Sequence, residues 1–493
     1  MRPRGARAQA LGVDHPQWSR QQQATVVVVV ALTLLGGFWL SHLPNVGGDT
    51  AQLMTGSDWI VRCLLHGPRV KCGTVPEGDE STVGPFPLIQ YAPDVVFKGL
   101  RFSPAERMTG LSVLSIAAFF AMLAVAWSTT SKLGPPGGWS IFLIVLLTSP
   151  FLYYGNATWG EMVAALLVVC FTASALLRLS PPLIAAAAFL ATLTKETAFP
   201  FLVAIGLLSL WLAWHRTGSS IRPHILGMVV GISSAIGISA LFNIFRFGTP
   251  LNEFYLQSKF RVPDMRTFSE LLAGLFIAPN GGLLLFWGSA CALLGLVGVA
   301  AIRSNGAPRL FGIAILTIFV LLSVSLATWW MPFGWHAWGP RLTISWIPSL
   351  VLLGIVACGR WIGPLVYCSV RSNIRLIAVA ALLMLAALPQ VGFLWNSGPV
   401  QGLFFQPDQY CTTAITLESI ETPDGLRDYY RCVRFRAWEK SPILLSATRS
   451  FESFAPLTFA VFWAAAIGAL LYRIRVQLMP SDHSATKAAD SPA

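Results

Sequence analysis

The run Ala24–Leu43, ATVVVVVALTLLGGFWLSHL, decides the fold. It carries no Asp, Glu, Lys or Arg, and as a helix it is long enough to cross a hydrocarbon core of about 30 Å. Arg2, Arg4, Arg7 and Arg20 precede it, and Pro44-Asn45-Val46-Gly47-Gly48-Asp49 follow without an A-x-A cleavage pattern. The segment therefore reads as a signal anchor rather than a cleaved signal peptide. Its basic flank stays inside, which puts Asp49 outside.

Working outward, runs of the same kind recur at 109–130, 139–153, 161–179, 182–194, 197–214, 225–243, 283–302, 311–330, 342–359, 376–396 and 456–472. The pattern predicts an all-α polytopic membrane bundle of about twelve spans, within 11–13. The segments 139–153 and 182–194 are short, which fits tilted, re-entrant or protein-buried helices. Composition agrees. Of 493 residues, 55% are hydrophobic and only 11% charged, against about 25% charged in soluble domains. Mean hydropathy is +0.63.

Charge placement orients the bundle. The expected inner segments hold 16 Lys and Arg but only Asp14, Asp482 and Asp490 among the acids. The expected outer segments hold 18 Lys and Arg with the other 19 acids. Short basic loops such as Arg303 with Arg309, Arg371 with Arg375, and Arg473 with Arg475 belong inside by the positive-inside rule. The net charge of +12 thus reflects topology. Nucleic acid is not an expected partner, because basic–aromatic stretches such as Trp335 to Arg341 sit at span ends, where aromatic belts are ordinary.

The layout expected is a cytoplasmic basic N-terminus at 1–23, a transmembrane domain at 24–475 and a disordered cytoplasmic tail at 476–493. Outer segments 44–108, 244–282 and 397–455 carry the polar mass. Within the first, Leu53, Trp59, Ile60, Cys63 and Leu64 recur at near-helical spacing, which suits a helix lying on the membrane surface. Leu88 to Leu100, broken by Pro93, suits another, so helices are expected in the outer loops after the first span and before the last. Cys63 and Cys72 share the first outer loop, and Cys411 and Cys432 the last. Two intraloop disulfides fit an oxidising exterior; free thiols are the alternative. No C-x-x-C and no zinc spacing occurs, so neither a structural metal nor a divalent cofactor is indicated.

Soluble catalytic signatures are missing. The chain has no Walker loop, strand-borne dinucleotide fingerprint, H-E-x-x-H or G-x-S-x-G, and no D-x-D pair to hold a metal on a sugar nucleotide. What remains is a set of polar residues at the outer ends of spans. Asp49 is followed along the chain by Glu161, which opens a span after Tyr153-Tyr154-Gly155-Asn156, and by Lys195-Glu196 between two apolar runs. Arg246 lies in Arg246-Phe247-Gly248-Thr249-Pro250, and His336 and Arg341 lie in Trp335-His336-Ala337-Trp338-Gly339-Pro340-Arg341.

In that order these cues, together with Pro85-Phe86-Pro87 and Tyr91-Ala92-Pro93, resemble the GT-C class of polyprenyl-phosphate-dependent glycosyltransferases. The resemblance covers most of the chain as short ordered motifs. It implies transfer of a hexose or pentose from a lipid-linked donor on the outer face of the cell membrane to a glycan, lipid or protein acceptor. The family's catalytic base, the acid after the first span, maps onto Asp49. The family often has a second acid beside the first. Here Thr50 follows, so the two-acid form and a carboxylate-held metal are not implied.

The residues carry the same chemistry without the family. Polyprenyl phosphate leaves without needing protonation, unlike the alcohol leaving group of a glycosidase, so one carboxylate suffices and the outcome is inverting. Asp49 takes the acceptor proton, and Lys195 and Arg341 hold the donor phosphate with Arg246 as a further candidate. His336, Glu161 and Trp338 are candidates for the substrate site, to which the resemblance adds Tyr91 through its Tyr91-Ala92-Pro93 cue. Each has a plainer reading: Asp49 as the N-cap of a helix from Thr50, Lys195-Glu196 as a self-neutralising pair, Arg341 and His336 as interfacial residues, Glu161 as a helix-dipole charge. Asp58 and Asp94 read as solvated loop charges. The functional alternative is a transporter or lipid flippase, which calls for charges near mid-membrane and paired broken helices.

Overall fold

The computed structural model describes residues 19–46, 50–66, 86–195, 199–252, 264–278, 281–328, 340–394, 432 and 454–479. These form helices with a single parallel β-bridge between Asn45 and Ala157. Eight helices are long and apolar enough to cross a membrane: α1 (Arg20–Ser41), α4 (Pro104–Leu133), α9 (Phe199–Thr217), α10 (Arg222–Phe247), α14 (Ala307–Ala327), α15 (Ile347–Val370), α16 (Asn373–Leu394) and α17 (Phe454–Leu478). Four shorter apolar helices lie among them: α5 (Gly138–Leu147), α7 (Glu161–Leu176), α8 (Pro181–Thr194) and α13 (Gly288–Arg303). Each of the spans expected from sequence corresponds to one of these twelve helices.

Local rules set where the helices begin. Ser19 caps α1 through a box with Gln22, and Ser103 caps α4 with Glu106, while Pro104 supplies the preset φ of the first helical residue. α5 is apolar on every side and buried on every side, as an all-hydrophobic helix must be inside a bundle. Thr148-Ser149-Pro150 end its run, and a single turn, α6 (Phe151–Tyr154), completes the segment. The expected span 283–302 is likewise split at Trp287, between α12 (Leu283–Phe286) and α13.

Close helix contacts rest on small residues. α10 presents Gly227 and Gly231, one turn apart, to α8. A Cβ at either glycine would strike the Pro181 or Ala185 carbonyl, so only glycine lets the two backbones approach this far. Buried indoles fasten other pairs: Trp39 Nε1 donates to Leu152 O at 3.0 Å, and Trp463 Nε1 to Leu147 O at 2.9 Å.

An outer layer of amphipathic helices covers one end of the bundle. It contains α2 (Thr50–His66), α3 (Leu88–Gly99) and α11 (Met265–Ile277). α2 buries Leu53, Ile60 and Cys63 and leaves Leu64 and Leu65 exposed. α3 runs unbroken through Pro93, contrary to the sequence expectation. Proline there forgoes one backbone bond, and the neighbouring Asp94 is clamped by an ion pair that holds the turn. That clamp also corrects the reading of Asp94 and Asp58 as solvated charges. Arg107 of α4, 1% exposed, donates Nε and Nη2 to both oxygens of the fully buried Asp94 at 2.8 and 2.5 Å. Its Nη1 reaches Asp58 at 2.7 Å, and Lys98 pairs with Asp58 at 3.3 Å. One fork thus joins α2, α3 and α4.

Charge separates along the bundle. All the described Asp and Glu residues (Asp58, Asp94, Glu106, Glu161, Asp264 and Glu270) lie at the end carrying α2, α3 and α11. The opposite end has Arg and Lys but no acid among the described residues.

Candidate active site

The site is built on two short segments, each fixed by backbone hydrogen bonds. The chain leaving α1 lays Asn45 beside Ala157, with Thr158 N donating to Asn45 O at 3.0 Å. Asn45 Nδ2 reaches Asn156 Oδ1 at 3.0 Å, and its backbone N–H reaches Ser112 Oγ of α4 at 3.3 Å. Ser115 Oγ, one turn further along α4, donates to Ala157 O at 2.7 Å. Thr50, the first residue of α2, shares a 2.5 Å hydrogen bond with Thr158. The residues on both sides of 47–49 are therefore stitched to the 153–160 segment.

That segment delivers Glu161 to the first position of α7, where the helix dipole favours a carboxylate. Glu161 is 2% exposed. Its Oε1 accepts from Arg341 Nε at 2.6 Å, and its Oε2 is buried with no hydrogen-bond partner among the described residues. Arg341 opens a 3-10 turn (Arg341–Thr343) before α15 and lies with its guanidinium 4.1 Å over the Trp159 ring. Tyr153 and Tyr154 stand against Trp159, at ring-centroid distances of 6.2 and 5.5 Å. The stacked cation holds a buried charge by ring quadrupole as well as by carboxylate.

Lys195 completes the group. It follows the last residue of α8, outside the helices, and feels attraction from Glu161 and repulsion from Arg341. Crowding by neighbouring atoms strips water from its ammonium and pulls its pKa down from 10.5 to about 8, with Arg341 adding to the fall and Glu161 opposing it. Its side chain has no hydrogen-bond or ion-pair partner among the described residues. Beside Trp159 a small, partly open apolar hollow lies between α2, α3, α4 and α7, lined by Leu53, Ile89, Pro93, Leu111, Thr158 and Val163. The arrangement offers two cations, a buried carboxylate with one oxygen unbonded among the described residues, and an aromatic wall next to a small apolar hollow. It suits a ligand with an anionic head and a greasy tail.

No protein-family model matches this sequence, and no curated protein matches it. Among solved structures the chain is similar to ArnT from Cupriavidus metallidurans bound to undecaprenyl phosphate, at 16% identity and a TM-score of 0.47, covering 93% of this chain and 78% of that one. It is similar to the apo state of the same protein at 17% identity and a TM-score of 0.47, covering 92% and 78%.

Of the residues expected to form the site, Glu161, Lys195 and Arg341 come together. Arg246 and Tyr91 sit in another cluster. Arg246 is fully buried; its Nη1 donates to Phe86 O at 2.7 Å, its Nε and Nη2 grip Asn243 Oδ1, and Phe242 and Phe247 flank it. Tyr91 packs on Phe86, Phe242 and the backbone of Gly56. Asp49, His336, Trp338, Glu196, Cys72 and Cys411 lie outside the described residues, as do 1–18, 480–493 and the outer segment 397–455 apart from Cys432 and the start of α17. Cys63 and Cys432 are each disulfide-bonded, while Cys170, Cys291, Cys358 and Cys368 are free thiols. Among the described residues no group of three His, Cys, Asp or Glu could hold a metal ion.

The sequence reading missed Trp159 and Arg107. Trp159 had a usable signal, an aromatic two residues before an acid at the start of an apolar run. Arg107 sits in the first turn of α4, where the dipole disfavours a cation, which points to a specific acidic partner.

Proposed function

We propose that the protein is a membrane glycosyltransferase of the GT-C kind, transferring a sugar from a polyprenyl-phosphate donor to an acceptor hydroxyl on the outer face of the cell membrane. The observation that carries this reading is the pairing of Glu161 with Arg341 over Trp159, within the electrostatic reach of Lys195, on the segment to which both flanks of Asp49 are bonded.

In this mechanism Arg341 and Lys195 hold the donor phosphate, and the small apolar hollow beside Trp159 offers contact to the carbons nearest that phosphate. Asp49, bonded directly to Thr50, accepts the acceptor's hydroxyl proton. The acceptor oxygen attacks the anomeric carbon from the face opposite the phosphate, the bond from that carbon to the phosphate oxygen breaks, and polyprenyl phosphate leaves with the electron pair. Configuration inverts in one displacement. Arg341 and Lys195 stabilise charge that grows on the leaving phosphate, in a site where burial strengthens them. Glu161 orients Arg341 through its Oε1 and leaves Oε2 for a substrate hydroxyl. Arg246 acts as a phosphate ligand only if substrate reaches the Phe86–Phe242 cluster, and its contacts favour a structural role.

The test is radiolabelled sugar transfer in membranes from a panel of polyprenyl-phosphate sugars. Asp49→Asn at normal abundance should lower transfer by at least about 100-fold, the scale of a lost general base. Full activity in that variant overturns the mechanism.

A further inference from the structure

At the end of the bundle remote from Glu161, the turn between α9 and α10 is ringed by cations. Arg216, in the last turn of α9, donates from Nη1 to Leu133 O at the C-terminus of α4 at 2.9 Å, and from Nη2 to Val356 O of α15 at 2.6 Å. Those bonds draw one guanidinium across three helices. Lys132 immediately precedes Leu133, and Arg360 lies one turn beyond Val356, near enough for Arg216 to feel its positive charge. From α7, Arg178 reaches the same turn, donating to Thr217 Oγ1 at 2.7 Å and Ser220 O at 2.9 Å.

Like charges gathered this way repel, and among the described residues no Asp or Glu stands at this end to relieve them. Lys132 and Arg360 have no hydrogen-bond or ion-pair partner among those residues. Two large indoles mark the depth. Trp214 and Trp361, on the same helices as Arg216 and Arg360, are 45% and 41% exposed. Trp214 lies in the last turn of α9, and the Arg216–Val356 bond sets the Arg360-Trp361 turn of α15 near the same level, although α15 continues to Val370. Exposed indoles of this kind favour the headgroup level of a bilayer, where neighbouring cations meet lipid phosphates.

We propose that Lys132, Arg216 and Arg360 bind the phosphate of an anionic phospholipid in the leaflet at this end of the bundle. The bridging anion would link the ends of α4 and α9 to the Val356–Arg360 turn within α15, the three helices that Arg216 already spans, and so stiffen the side of the bundle opposite the candidate active site. The proposal stands independently of the glycosyltransferase reading.

The experiment uses the purified full-length protein in phosphatidylcholine nanodiscs, titrated with phosphatidylglycerol. Melting midpoint and lipid adducts in native mass spectrometry are the readouts. Phosphatidylglycerol should raise the midpoint saturably, where further phosphatidylcholine does not. The double variant K132A/R360A removes two side chains that make no hydrogen bonds or ion pairs among the described residues and repel their neighbours, so its midpoint in phosphatidylcholine should be no lower than wild type. Its half-saturating phosphatidylglycerol should rise about 30-fold, roughly five-fold for each cation lost. If the double variant melts low in phosphatidylcholine, the single variant R360Q is read the same way and should shift about five-fold. Equal stabilisation by both lipids, or unchanged half-saturation in the variants, overturns the proposal. Saturable stabilisation by millimolar inorganic phosphate alone would assign the site to a soluble anion and overturn the lipid assignment.

Discussion

Glu161 and Arg341, 180 residues apart in the chain, meet at 2.6 Å in a buried ion pair, and the Arg341 guanidinium carbon lies 4.1 Å from the centre of the Trp159 ring. Both partners are under a tenth exposed, so neither tolerates loss of the other. A buried charge left alone costs about 3–5 kcal/mol, even where the intact pair adds little net stability. Glu161→Ala should therefore lower the melting temperature of the detergent-solubilised protein. Arg341→Lys should keep the charge, lose the planar stack, and cut transfer by more than it cuts stability. Equal activity in wild type and R341K would show that the guanidinium fork is not used.

Lys195 gives the pH dependence. Its ammonium is charged below about pH 8 and neutral above it. Donor affinity should fall as pH rises through 8, seen as a climbing KM. Lys195→Arg should flatten that limb, because arginine stays charged. Stability runs the other way. Between about pH 8 and the ordinary lysine value of 10.5 the unfolded chain binds the extra proton, so this residue makes folding more favourable as pH rises across that window. Opposite slopes for KM-limited activity and melting temperature are the signature to measure.

The Arg107 fork fixes α2, whose first residue is the neighbour of Asp49. Arg107→Ala strands the fully buried Asp94 and should cost about 3–5 kcal/mol. Arg107→Lys retains charge but cannot bond both Asp94 oxygens and Asp58 together, so an intermediate loss is expected. Thermal melts of the three proteins rank them. Indistinguishable melts would contradict the buried network.

Gly231 lies against the Ala185 carbonyl. Gly231→Val should force α8 and α10 apart, at about 1–3 kcal/mol for an overpacked contact. Because Lys195 follows α8 directly, transfer should drop alongside the melting temperature. Gly237, on the same helix with open space around it, is the control: Gly237→Ala should leave both unchanged.

The helices were legible because a bilayer imposes length and polarity on each segment independently of its neighbours. Uncharged runs such as Ala24–Leu43, and proline or glycine at the boundaries, therefore located them one at a time. Glu161, Lys195 and Arg341 were legible as candidates for the same reason, since ionisable residues next to apolar runs are costly to keep. Their grouping was not. It depends on how α7, α8 and the turn before α15 pack, and no local pattern encodes that. Asp94 shows the limit most clearly: after Pro93 in an outer segment it reads as a solvated charge, yet Arg107 buries it completely.

The chain's own order thus determined that it is an all-α bundle with its acids gathered at one end, because hydrophobic transfer and charge placement act residue by residue. Only the tertiary structure decided which charges become partners. An ion pair forms where helix packing brings two side chains within about 3 Å, and the close α8–α10 contact at Gly231 and the Thr50–Thr158 bond are distances that exist in space, not in sequence.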